Sequence, residues 1–167
     1  YSEMNLDRSN LCKKNAYADE IFSWLGDGDS GSTGFTQLAM LIDASGSIST
    51  ADFDTMKEGI ATAIENILPK DGSVELTVVR FSTGANLEIN SPIIVDVSNF
   101  QTIADNVRNI VYVGGGTDMA AAFSVATTAM LNSPNFDPID RQIVNLITDG
   151  EPNVQLDTIT ERNNMIS

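Results

Sequence analysis

Three short segments gather oxygen-bearing side chains at spacings that could do chemistry: Asp43-Ala44-Ser45-Gly46-Ser47, Gly116-Thr117-Asp118 and Thr148-Asp149-Gly150. In the first, a carboxylate and two hydroxyls fall on alternate residues, and alternation along a turn lets all three face one side. Thr117 and Asp149 would add one more hydroxyl and one more carboxylate. An inventory made only of oxygen suits a hard cation such as Mg²⁺, which demands octahedral geometry at about 2.0 to 2.1 Å, with Mn²⁺ or Ca²⁺ as alternatives. Zinc would want other ligands. The chain has no histidine, so imidazole metal sites and Ser/His/Asp or Cys/His nucleophiles are excluded. A magnesium-dependent phosphotransferase using Asp43 as nucleophile would want a second carboxylate two residues on, where Ser45 stands, so an enzyme is not expected. Each segment also has a plain structural reading. The serines could cap a following helix, the glycines could form an ordinary turn, and Asp149-Gly150 is a common turn pair.

The elements that must position these segments follow from apolar periodicity. Leu38 to Ile42 is an unbroken apolar run, suited to a strand buried on both faces, and it ends in Asp43. Phe53, Met56, Ile60, Ile64 and Ile67 recur at three- and four-residue intervals, which predicts a helix packed on a sheet, with Ser49 and Asp52 as its capping box. Val74 to Phe81 predicts a second strand, and Ser82 to Asn86 is a turn short enough for a hairpin to an antiparallel edge strand over Leu87 to Val95. Ser98 with Gln101 predicts a second capping box, opening a helix that carries Ile103, Val107 and Ile110. After Gly114 to Gly116, which permit close backbone approach, a small-residue helix runs through Met119, Phe123, Ala126 and Met130. A last strand, Gln142 to Thr148, leads into Asp149. Strands alternating with amphipathic helices predict an α/β domain: a Rossmann-like, open, mostly parallel sheet with helices on both faces and one antiparallel edge strand. Ligands bind such sheets at the carboxyl ends of the strands, where strand order reverses.

Length and charge set the outer bounds. With 167 residues, one domain is expected. Residues 1–35 read as an extension with a short helix around Lys14 to Leu25 and a Gly/Asp/Ser linker, and residues 36–167 as the domain. Asp27 and Asp29 resemble the opening of a calcium loop, but Gly31 and Leu38 stand where ligands should be. The net charge of −14, from 23 acidic and 9 basic residues, would repel nucleic acid and anionic lipid. No apolar run approaches the roughly 18 residues of a membrane helix, so direct membrane insertion is not expected. The lone Cys12 can form no internal disulfide, and a start at Tyr1 reads as a processed or trimmed product.

Taken together, the three segments resemble the von Willebrand factor A family, whose metal-ion-dependent adhesion site is a DxSxS turn, a threonine from a glycine-rich loop and an aspartate from a TDG turn. All five residues match, and the likeness covers residues 37 to about 155 in order and spacing. By that resemblance Ser45, Ser47 and Thr117 would contact a metal through their hydroxyls. Asp43 and Asp149 would act largely through water or as acceptors that orient those hydroxyls. Neutral ligands leave the cation's charge poorly quenched, so its open position would capture a Glu or Asp carboxylate of a protein partner. Asp118 and Glu151 lie close enough in sequence to contact that partner, although both also read as plain surface residues. The implied function is cation-dependent adhesion at an extracellular or cell-surface location. The alternative is a structural block of an extracellular assembly, in which the metal only stabilises loops. The family domain ordinarily continues beyond the TDG turn, whereas only Glu151 to Ser167 follows here. A helix over Leu156 to Ile166 would leave the last strand as an exposed edge, to be covered by a missing portion, a separate chain or residues 1–35. Self-assembly, or a chain that completes the sheet, is therefore a second kind of partner.

Overall fold

The structure is a computed structural model that describes residues 34–149. Within them the order is β1 (Thr36–Asp43), α1 (Thr50–Asn66), β2 (Asp71–Phe81), β3 (Ala85–Asp96), α2 (Phe100–Arg108), α3 (Met119–Leu131) and β4 (Arg141–Ile147). The sheet runs β3-β2-β1-β4, with β1 parallel to both β2 and β4 and β3 antiparallel to β2. This is the open, mostly parallel sheet with one antiparallel edge that the periodicities predict. The extension and linker of residues 1–33, the predicted helix at 156–166, Gly150 and Glu151 lie outside the described residues.

Every residue of β1 is buried, as a central strand covered on both faces requires. Its alternate side chains serve two cores. Leu38, Met40 and Ile42 join Phe53, Ile60, Ile64, Ile103 and Val107 under α1 and α2. Ala39 and Leu41 join Val79, Phe81, Phe123, Ala126 and Met130 under α3. The sheet continues from β1 to β2 on one side and returns through α3 to β4 on the other, so strand order reverses at β1/β4. The carboxyl ends of those two strands are Asp43 and the Thr148-Asp149 pair, which puts two of the three candidate segments at the reversal.

Helix starts show where local sequence is and is not decisive. Ser49 caps α1 as expected, its Oγ accepting from Asp52 N at 3.1 Å. The second capping box does not form. Asn99 occupies the cap of α2, and Ser98 instead donates through N and Oγ to Asp96 Oδ1 at 2.7 and 2.6 Å, while Gln101 reaches across to Glu65. The reason is competition, because Asp96 offers a carboxylate two residues before Ser98 and closes a tight local turn first. At the end of α1, Ile67 is turned outward and Leu68 takes the core position, since the amides of both bond Ala63 O as the helix closes.

Candidate metal centre

The serine turn is shaped by Asp43. Its Oδ1 accepts the amide of Ser45 at 2.8 Å, bending the chain directly after β1, and its Oδ2 accepts Thr148 Oγ1 at 2.6 Å, tying the ends of β1 and β4 together. Both carboxylate oxygens are thus engaged, and the residue is wholly buried. Beyond it, Ser45 Oγ lies 3.0 Å from Ser47 Oγ, and Ser47 Oγ donates to Asp149 Oδ1 at 3.0 Å. Ser45 is buried and Ser47 exposed, so the row of oxygens leads from the sheet end to solvent.

The glycine-rich loop meets this turn through its backbone. Gly114 N donates to Ala44 O and Gly46 N to Gly115 O, each at 2.9 Å. Gly115 has φ +98°, and a Cβ there would stand 2.6 Å from Thr83 Oγ1, so only glycine fits. Two residues on, Thr117 is 7% exposed and is flanked by two further ties: Gly116 N to Thr83 Oγ1 at 2.9 Å and Asp118 N to Ser82 O at 2.7 Å. Side-chain bonds thus join Asp43, Ser45, Ser47 and Asp149 with Thr148, and backbone bonds bring in the loop of Thr117. Asp118 has a structural task as the N-cap of α3, its Oδ1 accepting Ala121 N at 2.9 Å.

Three residues that hold this point, Tyr112, Ser82 and Thr83, were given no part in it by the sequence. Tyr112 donates its hydroxyl toward Ser45 O at 3.1 Å and Ile48 O at 2.9 Å, gripping the serine turn at both ends. Its ring leans on Phe53 of α1 with centroids 5.6 Å apart. Ser82 and Thr83, in the β2–β3 turn, hold the glycine-rich loop, and Thr148 holds Asp43. For Tyr112 the only sequence signal is a polar-tipped aromatic in an otherwise apolar run next to the glycines.

The spacing of the two serine oxygens is compatible with a hard cation. Neighbouring ligands at about 2.1 Å from an octahedral ion stand about 3.0 Å apart, which is the spacing from Ser45 Oγ to Ser47 Oγ. Among the described residues no group of three or more His, Cys, Asp or Glu could hold a metal by itself, so hydroxyls would have to provide part of the coordination.

The sequence model of the von Willebrand factor type A domain matches residues 38–151 of this chain. A comparison with curated proteins finds no match. Among solved structures, manganese-loaded TRAP protein of Plasmodium vivax is similar at TM-score 0.65 and 23% identity, over 80% of this chain and 53% of that one. Proximal thread matrix protein 1 from the mussel byssus, in a structure with a zinc-occupied MIDAS motif, is similar at TM-score 0.64 and 20% identity, over 79% and 35%. A von Willebrand factor type A protein from Catenulispora acidiphila gives TM-score 0.59 and 20% identity, over 77% and 30%. The chain therefore spans about half or less of the length of these neighbours, and likeness at this identity speaks for the fold. With the family match extending over more than half of its residues and the sheet, loops and serine turn in the family's order, the chain belongs to the von Willebrand factor type A domain family.

Proposed function

We propose that this domain is a divalent-cation-dependent protein-binding module, in which Ser45, Ser47 and Thr117 hold the ion and a partner's Glu or Asp completes its coordination. The observation that carries this reading is the row Ser45 Oγ, Ser47 Oγ, Asp149 Oδ1, with 3.0 Å at each step, at the strand-order reversal. A bound Mg²⁺ or Mn²⁺ would supply a Lewis-acidic position for an anionic oxygen. The chain's own residues prepare that position. Asp149 accepts the hydrogen bond of the Ser47 hydroxyl, so that Ser47 faces Ser45 Oγ with one lone pair and has the other for the ion. Asp43, engaged by Ser45 N and Thr148 Oγ1, orients the turn and keeps its negative charge one shell away. Neutral hydroxyls in direct contact leave the ion's charge to be answered from outside, which favours capture of a carboxylate over storage of metal.

The burial of Asp43 also argues against phosphotransfer, because a nucleophile must reach its substrate. Zinc is an allowed test ion in view of the mussel protein, but the oxygen donors favour Mg²⁺ or Mn²⁺. An extracellular or surface setting is part of this proposal, and among the described residues no helix is long and apolar enough to cross a membrane.

Isothermal titration of the purified chain with Mn²⁺, followed by a Glu-bearing peptide library displayed with Mg²⁺ or with chelator, tests the reading. One saturable Mn²⁺ site, lost in Ser47→Ala and Thr117→Ala, with chelator-sensitive capture of acidic peptides, is the expected outcome. Saturable metal binding that stabilises the fold while acidic peptides are captured equally in chelator would favour the structural-block alternative instead.

A further inference from the structure

A pocket of about 540 Å³ opens between β3 and α3, and among the described residues the only ionisable side chain lining it is Glu75. Glu75 pairs with Gln37 at the start of β1, six residues before Asp43, so roughly 20 Å of strand separates its carboxylate from the candidate metal centre. Its carboxylate is 3% exposed and accepts three neutral donors: Gln37 Nε2 at 2.7 Å, Ser133 Oγ at 2.7 Å and Asn135 Nδ2 at 2.8 Å. No Lys or Arg pairs with it among the described residues, whereas Glu58, Glu65 and Glu88 all have an arginine. A buried carboxylate without a cation is the exception, since isolated buried charge is strongly disfavoured.

Two further observations point the same way. Leu87, Pro92, Ile94, Val125 and Ala129 give the pocket an apolar wall, and its volume falls in the range of small-molecule sites. Gln37 keeps its amide nitrogen on Glu75 and on Met130 O although this strands its own Oε1, the one buried side-chain polar atom without a partner among the described residues. The amide is thus held so as to present a donor to the carboxylate.

We propose that this pocket binds an alkylammonium group, its charge meeting Glu75 and its methylene chain lying on Leu87, Ile94 and Val125. The same chemistry could arrive as a free small amine or as a lysine side chain. The site needs no metal and does not depend on the function proposed above.

The test uses the full chain, with chelator present, titrated with n-pentylammonium, pentanol and pentanoate and followed by amide chemical shifts. Saturable shifts at Leu87, Ile94, Ser133 and Asn135 are expected for pentylammonium, with pentanol at least roughly tenfold weaker and pentanoate inactive. An N-acetyl-lysine amide arm separates the sources. Binding as strong as that of pentylammonium assigns a lysine side chain, and binding roughly tenfold weaker assigns a free amine. Glu75→Gln should abolish the shifts. Because that change sits in the core, Thr128→Phe, an exposed substitution at the pocket rim, provides the second variant and should weaken binding without lowering Tm. Equal binding of pentanol and pentylammonium, no saturable binding of either, or unchanged binding in Thr128→Phe would overturn the proposal.

Discussion

Ser47 lies between Ser45 and Asp149 and bonds both, so it links the two strand ends a second time, beside the bond of Thr148 to Asp43. In the proposed centre it is both ligand and proton donor. Ser47→Ala is therefore expected to weaken Mn²⁺ binding by roughly 10- to 100-fold, read by calorimetry, with little loss of stability because the residue is exposed. Tyr112→Phe separates positioning from ligation. It leaves the ring on Phe53 and removes only the hydroxyl that spans Ser45 O and Ile48 O, so affinity should fall by about tenfold while Tm moves slightly. Asp118→Ala should lower stability by about 1 kcal/mol through loss of the α3 cap, whereas Asp118→Asn should keep most of it. Urea unfolding of the two variants checks that assignment. At this scale the sequence was informative where partners are neighbours: Asp43, Ser45 and Ser47 form one turn, and alternation alone suggests a shared direction. It was silent on Tyr112 and Thr83, whose partners lie 67 and 33 residues away, because such contacts are products of the fold.

The elements succeed as positioning devices because their ends are tied to one another. Between α1 and α2, Arg108 holds two carboxylates with paired bonds: Glu58 at 2.9 and 3.3 Å and Glu65 at 2.6 and 2.9 Å. The Arg108 bond holds the Glu65 carboxyl below its ordinary value of 4.5, with Gln101 assisting. A carboxyl depressed on folding contributes stability that is present above its unfolded value and lost as pH falls through the folded one. Stability of the native chain should therefore decline from about pH 4.5 downward, and Arg108→Gln should flatten that decline, as urea midpoints across acid pH would reveal. The hydroxyls of Ser73 and Ser98 lower Asp71 and Asp96 in the same sense, so some acid sensitivity should survive the substitution. Gly115→Ala tests the loop directly. At φ +98° and with Thr83 Oγ1 in the way, it should cost about 1 to 3 kcal/mol and weaken cation binding together. Strands and helices were readable from period and burial, whereas the start of α2 was not, because Asp96 draws the Ser98 hydroxyl and the amides of Ser98 and Asn99 into a turn of its own, leaving Ser98 no free role as a cap.

For the molecule as a whole, the sheet order places two candidate segments at the β1/β4 reversal, and the glycine-rich loop delivers the third from the connection between α2 and α3. The topology was legible because buried strands, amphipathic helices and short turns alternate along the chain. Among the described residues β4 is an outer strand of the sheet, and the cover expected for it, a missing portion, a separate chain or residues 1–35, lies beyond them apart from Gly34 and Phe35. Divalent cation that binds only the folded chain should stabilise it by mass action, about 2.7 kcal/mol at a hundred times Kd, and chelator should reverse the gain. The most direct measurement of the central claim is anomalous diffraction from a crystal grown with Mn²⁺. A single strong peak should lie in contact with the hydroxyl oxygens of Ser45, Ser47 and Thr117, with Asp43 and Asp149 one hydrogen bond further out. A peak held directly by both aspartates, or none among the three hydroxyls at saturating manganese, would contradict that claim.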